Sequence, residues 1–214
     1  MTKMLVCPTS LNNTYELLKK NIDGIILGIE KYSIFFNFEV SIDEIKNIIN
    51  STDKEVFVAI NKILYNSDLN NIRNILKELS KLNIKGILYD SISILNINKE
   101  EKLNLNLVWN QMHLPTNFMS CDFWYNQGVK YAYLSTEITL EDIINIKKNS
   151  NIGIMTYIYG YLPMFESSRT LITNFLKYVN MDKKDDLYYL YEEERDKYYP
   201  IYEKNDETFI LEDI

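Results

Sequence analysis

The chain has 214 residues, of which 46% are hydrophobic, 25% charged and 13% aromatic, and its formal net charge is -7. This composition is typical of one soluble globular domain, and it excludes collagen-like, linker-rich and membrane-spanning chains. Because an acidic surface repels phosphate backbones, we do not expect the chain to bind nucleic acid unaided.

In the first half of the chain, short apolar runs alternate with capped helical patterns. Strands are predicted over residues 4–7, 24–29, 55–60 and 86–90. Helices are predicted after Ser10, after a capping box at Ser41 and after Ser67.

The alternation continues in the second half. The predicted strands cover residues 105–109, 130–134 and 153–158, and the predicted helices cover residues 117–127, 139–148 and 166–179. Strand starts lie about 20 to 30 residues apart, which is the period of βα units joined by right-handed crossovers. Seven such units without a glycine-rich phosphate loop favour an α/β fold of the TIM-type (β/α)-barrel class over a doubly wound sheet. Because no eighth unit follows, the predicted barrel is incomplete.

The C-terminal segment has a different composition. Residues 182–214 are dense in tyrosine and acids, and two strand-like runs, 187–191 and 198–202, flank a charged turn. We therefore predict a barrel domain over residues 1–181, with a β-hairpin tail packed on it. An incomplete barrel leaves strand edges unpaired, so we expect the gap to be covered by the apolar run 208–211, by the tyrosine-rich hairpin or by a second copy in a homodimer.

Cys7 and Cys121 are the only cysteines, and they lie far apart in a chain long enough to build a core without disulfide bonds. Reduced thiols are therefore expected, as in cytoplasmic proteins. The N-terminus has no apolar stretch of signal-peptide length before Pro8, and no run approaches the roughly 20 apolar residues of a membrane span. These features predict a cytoplasmic protein with no membrane partner.

Active sites of parallel barrels lie where the strands end. Polar residues follow most of the predicted strands: Glu30, Asn61, Asp90, Gln111, Asn117, Glu137 and Tyr159. The sequence therefore predicts a polar, acidic pocket for a peptide or small-molecule ligand. Taken singly, the carboxylates are also explained as helix caps or solvated loop groups, and the asparagines as turn residues.

The familiar catalytic motifs are missing from the sequence. The single histidine, His113, allows no confident Ser-His-Asp or Cys-His arrangement, and there is no P-loop, G-x-G-x-x-G or H-E-x-x-H. With two cysteines and one histidine, no zinc site is expected. The residues alone leave two classes of function open, an enzyme and a non-catalytic binding or assembly protein.

Two short segments carry a specific family resemblance. Residues 133–143 resemble the stretch LSRELSLEEI of peptidase family U32, the collagenase-like peptidases, with Thr136 in the place of the arginine. Residues 158–164 resemble the YGRLPLM segment of the same family, with Tyr161 in the place of the arginine.

Three further segments follow the same order as in that family. Residues 24–28 are similar to its glycine-flanked second strand, and residues 107–117 to its strand followed by an asparagine. Residues 198–201 resemble the FPV strand of its hairpin.

The resemblance implies a TIM-type barrel with peptidase-like activity. If the protein hydrolyses a substrate, Glu137 and Asp90 are the expected acid and base. Asn61, Gln111, Asn117 and Tyr159 are then expected to position that substrate.

The family also implies a cofactor. Its characterised members hold an iron–sulfur cluster through cysteines that follow the YGRLPLM segment, and take part in hydroxylating RNA or ubiquinone precursors. Here residues 165–171 contain no cysteine, so neither a cluster nor another cofactor is expected. An accessory role in tRNA or RNA hydroxylation is thus a third possible function, beside hydrolysis and non-catalytic binding.

Overall fold

The structure is a computed structural model, and it describes residues 2–213. Met1 and Ile214, the outer ends of the two predicted domains, lie outside the described residues. The chain divides into two compact units, which we call unit 1 (Met1–Thr156) and unit 2 (Tyr157–Ile214). The predicted division into a barrel domain over residues 1–181 and a tail over residues 182–214 stays a prediction.

Unit 1 alternates strands and helices, except that its third strand, of two residues, follows the second without a helix between them. Its elements are β1 (Leu5–Val6), α1 (Leu11–Leu17), β2 (Gly24–Ile29), β3 (Glu39–Val40), α2 (Ile42–Asn50), β4 (Glu55–Ile60), α3 (Leu69–Leu79), β5 (Gly86–Tyr89), α4 (Ile92–Glu100), β6 (Leu107–Trp109), α5 (Phe118–Asn126), β7 (Tyr131–Tyr133), α6 (Leu140–Asn149) and β8 (Gly153–Met155).

Seven of these strands form a parallel sheet in the order β1-β2-β4-β5-β6-β7-β8, and β3 pairs with the end of β2. This sheet forms a half-barrel whose strands alternate with helices along the chain, so the predicted incomplete TIM-type barrel is confirmed. None of the helices within residues 2–213 is long and apolar enough to cross a bilayer.

Alternate strand residues of unit 1 belong to two apolar clusters. Residues such as Ile25, Val58 and Ile87 pack in the larger cluster together with helix residues. Their sequence neighbours Ile26, Phe57 and Leu88 belong to a second, smaller cluster. Burial on both sides of the strands explains why these strands are continuous apolar runs in the sequence.

Gly24 is required by the close approach of β2 and β4. A Cβ atom at this position would lie 2.2 Å from the backbone carbonyl oxygen of Glu55. Because that oxygen belongs to the backbone, no side-chain rotation relieves the clash. The glycine that opens the apolar run 24–29 is therefore a packing requirement.

Unit 2 contains an antiparallel sheet and one helix. Its elements are β9 (Tyr161–Ser167), α7 (Leu171–Tyr178), β10 (Leu187–Glu192), β11 (Lys197–Lys204) and β12 (Glu207–Asp213). The strand order is β10-β11-β12-β9, and the small core is built on Ile172, Leu176 and Ile201.

The tail prediction is confirmed in one part and corrected in another. The predicted hairpin is present, since β10 and β11 pair antiparallel. The run 208–211 does not extend the parallel sheet, because β12 pairs with β11 on one edge and β9 on the other. The helix predicted from Glu166 begins only at Leu171, because residues 161–167 are the strand that pairs with β12.

Candidate functional site

The candidate site lies at the carboxyl ends of β5 and β6, which are neighbours in the parallel sheet. Tyr89 and Trp109, the last residues of the two strands, are register partners. Asp90 directly follows the first of these strands, and Gln111 lies two residues after the second. Strand pairing therefore brings together two of the residues predicted from the sequence.

Gln111 lies between an indole and a carboxylate. Its Oε1 accepts a hydrogen bond of 2.8 Å from Trp109 Nε1. Since an indole N–H only donates, this bond identifies the oxygen end of the Gln111 amide. The Gln111 side chain also acts to lower the pKa of the Asp90 carboxyl, which follows the neighbouring strand β5.

Asp90 is half-buried at this position. Burial raises the pKa of its carboxyl, and the Gln111 side chain partly offsets that increase by stabilising the charged form. A carboxyl whose pKa is raised by its surroundings is a common feature of acid–base sites, and also of structural networks.

Gln111 also lines a groove of about 450 Å³ between the end of β6 and helix α5. The other lining residues are Trp109, Leu114, Met119, Ser120, Phe123 and Trp124. The two indole rings are 5.1 Å apart, and Phe123 meets Trp124 edge to face at 5.4 Å. The groove therefore has aromatic walls, a fixed amide, and an exposed rim that includes Met119 and Phe123.

Two other predicted residues make backbone contacts instead. Asn61 Oδ1 accepts a bond from the Ile34 N–H, and Asn61 Nδ2 donates to the Ile34 carbonyl, so this amide holds the loop between β2 and β3. Asn117 is the N-cap of α5, and its Oδ1 accepts a bond of 2.9 Å from the Ser120 N–H. Both contacts are local structural roles of the kind that the sequence left open for the asparagines as turn residues, with Asn117 acting as a helix cap. Substrate contact by either residue stays a prediction.

The remaining predicted residues are exposed. Glu137 lies in the turn after β7, where its backbone N–H donates to Ser135 Oγ. No hydrogen bond or ion pair found within residues 2–213 joins the Glu137 carboxylate to Asp90 or Gln111. Tyr159 belongs to unit 2 and is 90% exposed. Roles for Glu137 and Tyr159 in catalysis or binding stay predictions.

Sequence reasoning does not identify most of the groove. Trp109 ends a predicted strand, and Met119, Phe123 and Trp124 lie in a predicted helix, but no motif singles out any of the four as a binding residue. One signal was available, because α5 (FMSCDFWYN) carries apolar residues on more than one face. A surface helix of that kind leaves some apolar side chains in solvent, as Met119 and Phe123 are here.

The residues present do not fit the iron–sulfur cluster that the family resemblance implies. A Cys₄ cluster needs four thiolates, and the chain has two cysteines. Cys7 is exposed after β1, whereas Cys121 is buried in α5, where burial and the neighbouring Asp122 raise the pKa of its thiol to about 11. Over the described part of the chain, no three His, Cys, Asp or Glu residues are grouped so that they could hold a metal ion.

Comparison with solved structures identifies the fold. Two structures of orotidine 5'-monophosphate decarboxylase from Methanocaldococcus jannaschii, one of them complexed with the inhibitor BMP, each superpose with a TM-score of 0.53. Sequence identities are 16% and 15%, and the match covers 73% of this chain and 77% and 81% of those chains. At this identity the similarity supports a barrel-type fold and carries no functional information.

Three bacterial proteins are similar in sequence. The tRNA hydroxylation protein P2 of Bacillus subtilis is 27% identical over 98% of this chain and 71% of its own length. The tRNA hydroxylation protein P1 of the same organism is 22% identical over 71% of this chain, and protein P of Haemophilus influenzae is 21% identical over 78%. The chain spans 37% of the length of each of these last two proteins.

The family model described as peptidase family U32 matches residues 9–207, which is most of the chain. This match covers both segments on which the sequence resemblance was most specific, around Glu137 and around Gly160. The chain belongs to peptidase family U32.

Proposed function

We propose that this chain takes part in tRNA hydroxylation and contributes substrate binding rather than the oxidising group. The observation that carries the proposal is the 27% identity with tRNA hydroxylation protein P2, which extends over 98% of the chain. The cysteine content supports a role in substrate binding rather than in oxidation, because two separated cysteines cannot hold a Cys₄ cluster.

The charge of the chain adds a condition to this role. A net charge of -7 opposes binding to a phosphate backbone, so the proposed role includes a partner that supplies most of the tRNA contact. Such a role places the protein in the cytoplasm, together with the tRNA.

Within this proposal, the groove beside Gln111 is the part of unit 1 that receives a ligand. Small-molecule sites commonly have volumes of roughly 300–1,000 Å³, apolar walls and a few fixed polar groups. The groove has all three features, with about 450 Å³, two indole walls and the amide of Gln111.

The proposal is tested in the host of the protein. Deleting the gene should remove an oxygen-containing modified nucleoside from bulk tRNA, as measured by mass spectrometry of digested tRNA. Re-expression of the wild type and of the control Glu78→Gln, an exposed position on α3, should restore the nucleoside. A nucleoside profile that the deletion leaves unchanged would overturn the proposal.

Hydrolysis is the second candidate, and one observation favours it. Asp90 is a half-buried carboxyl with a raised pKa at the end of a barrel strand, where catalytic acids lie in this type of fold. If hydrolysis is the activity, peptide or ester turnover by the purified chain should fall at least 100-fold in Asp90→Asn. No turnover by the purified wild-type chain would exclude hydrolysis, and equal turnover by the variant and the wild type would exclude Asp90 as its acid or base.

A further inference from the structure

We propose that the outer edge of strand β10, together with the exposed tyrosines beside it, binds an extended arginine-rich segment of a partner protein. This surface belongs to unit 2, and its proposed role does not depend on the function proposed above. Three features of the hairpin formed by β10 and β11 support it, namely an open edge, exposed rings and the charges at both ends of β10.

Strand β10 (Leu187–Glu192) is an edge strand whose outer side is open. Within residues 2–213 it pairs with β11 alone. Four of its six residues are exposed, and the strand contains neither lysine nor proline. Edge strands are commonly protected from further pairing by lysine, by proline or by a covering segment. The backbone of β10 is therefore available to an added strand, which is a common mode of peptide recognition.

Tyrosine rings line one face of this hairpin. Tyr188 packs against the core of unit 2, so the alternation of a strand places Tyr189 and Tyr191 on the opposite face. Tyr198 is the register partner of Tyr191, and their ring centres are 4.9 Å apart. The rings of residues 189, 191 and 198 belong to side chains that are 58%, 50% and 60% exposed. An arginine on an added strand would lie beside these rings at cross-strand distance, where a guanidinium stacks on an aromatic face.

The net charge of the chain is concentrated in the same segment. Residues 182–214 contain twelve acidic and five basic residues, whereas residues 1–181 contain eighteen of each, so the segment carries the whole net charge of -7. Exposed Asp185 and Asp186 precede β10, and exposed Glu193 and Glu194 follow it. No hydrogen bond or ion pair found within the described residues involves these four carboxylates. A cationic segment lying along β10 would therefore meet negative charge at both ends.

The same charges distinguish between possible occupants. Single-stranded nucleic acid stacks on aromatic rings, but the carboxylates at both ends of β10 would repel its phosphates. A second copy pairing edge to edge would bring like charges together at the ends of both strands. Lys183 and Arg195 do not offset this charge, because they pair with Glu203 and Glu192. An arginine-rich protein segment is the occupant that the rings and the charges both favour.

Two peptides of equal composition separate geometry from charge. The peptide Arg-Thr-Arg-Thr-Arg-Thr-Arg-Thr places every arginine on one face of an extended strand, whereas Arg-Arg-Arg-Arg-Thr-Thr-Thr-Thr carries the same charge without that alternation. Each peptide is labelled with fluorescein, and its binding to the full-length protein is measured by fluorescence anisotropy. The alternating peptide should bind at least fivefold more tightly than the block peptide. Labelled octauridylate, a single-stranded RNA, should bind at least tenfold more weakly than the alternating peptide.

A double variant tests the role of the rings. Tyr189→Ser combined with Tyr191→Ser leaves the charge unchanged and should weaken binding of the alternating peptide at least fivefold. Tyr178→Ser provides the control, because this exposed tyrosine lies on α7, away from the hairpin, and its replacement should leave the affinity unchanged.

A second double variant tests the role of the flanking charges. Glu193→Gln combined with Glu194→Gln should weaken binding of the alternating peptide at least threefold at physiological salt. The control is Glu16→Gln combined with Glu78→Gln, which changes the net charge equally at two exposed positions on α1 and α3. The control should leave the affinity unchanged, because salt screens charges that lie more than about 8 Å from the peptide.

Four outcomes would overturn the proposal. In the first three, the block peptide binds as tightly as the alternating one, the RNA binds as tightly as either peptide, or the double tyrosine variant binds like the wild type. In the fourth, the wild type is a dimer by analytical ultracentrifugation and the double tyrosine variant is a monomer, which would assign the edge to a second copy. If a variant fails to fold by circular dichroism, the order in which the wild type binds the three probes decides the question alone.

Discussion

The two units of the chain are stabilised in different ways. In unit 1, all six residues of β2 and five of the six of β4 are buried between two apolar layers. In unit 2, no residue of β9 or β10 is fully buried, and the core is built on three buried aliphatic residues. Apolar burial dominates the first unit, so single polar contacts carry a larger share of the stability in the second.

Unit 2 illustrates this dependence in two places where side chains bind the first turn of α7. Thr208 is fully buried, and its hydroxyl accepts a bond from the Leu171 N–H and donates to the Arg169 carbonyl. Glu203 accepts bonds from both the backbone N–H and the hydroxyl of Thr173. Both contacts pair groups at the start of the helix that the helix itself leaves unpaired.

The largest effect is expected from Thr208→Val. The variant keeps the shape of the side chain but removes the two hydrogen bonds of the hydroxyl, so the Leu171 N–H and the Arg169 carbonyl retain only their bond to each other. The loss of two bonds should cost about 2 kcal/mol of unfolding free energy. Urea denaturation followed by far-ultraviolet circular dichroism measures the loss. Thr208→Ser retains the hydroxyl and should lose less, and equal losses in the two variants would show that the methyl group, not the bonds, matters.

A smaller effect is expected from an ion pair in unit 1. Glu55 opens β4, and its carboxylate binds Lys3 at 2.5 Å and Lys85 at 2.9 Å. Burial acts to raise the pKa of Glu55, but the two lysines outweigh it, so the pKa lies below its usual value of 4.5. The folded state is therefore stabilised while this group is charged, and that contribution is lost as the pH falls through the lowered pKa.

Glu55→Gln should consequently cost about 1 kcal/mol at pH 7, since the side chain is 20% exposed and its pairs are partly screened. The difference from the wild type should shrink as the pH falls below about 4.5, because protonation removes the same charge from the wild type. Urea denaturation at several pH values checks both points. A difference that persists unchanged in acid would assign the effect to packing.

How well the sequence predicted the structure also differs between the units. The parallel strands were predictable because strands that are buried on both faces consist of continuous apolar runs, such as residues 24–29. Helix α4 and strand β3 were not predicted, the first because its apolar residues do not follow a clear helical period and the second because it has two residues. In unit 2, the pairing of β9 with β12 joins residues about 40 to 50 positions apart, and no local pattern encodes such a contact.

The site was predictable only in part. Asp90 and Gln111 were found because parallel strands end on one edge, and the structure brings them together. Trp109 and the groove residues of α5 were not predicted, because the role of each depends on which side chains of β6 and α5 meet in the folded protein. Contacts of that kind arise from tertiary packing, which a pattern along the chain does not contain.

The smallest effect, of opposite sign, is expected at a second buried hydroxyl. Tyr89 is fully buried in unit 1, where its ring meets Trp124 edge to face at 6.3 Å, and its hydroxyl finds no hydrogen-bond partner among the described residues. A buried hydroxyl without a partner destabilises the folded state, and burial accordingly raises the pKa of this phenol. Tyr89→Phe removes the oxygen and keeps the ring, so it should stabilise the protein by up to about 1 kcal/mol.

The same urea denaturation measures this gain in stability. Tyr178, which is 85% exposed, provides the matched control, because Tyr178→Phe should leave the stability unchanged. A loss of stability in Tyr89→Phe would mean that a bound water hydrogen-bonds the hydroxyl. Thr208 and Tyr89 would then differ only in whether the partner of the hydroxyl is a protein group or a water molecule.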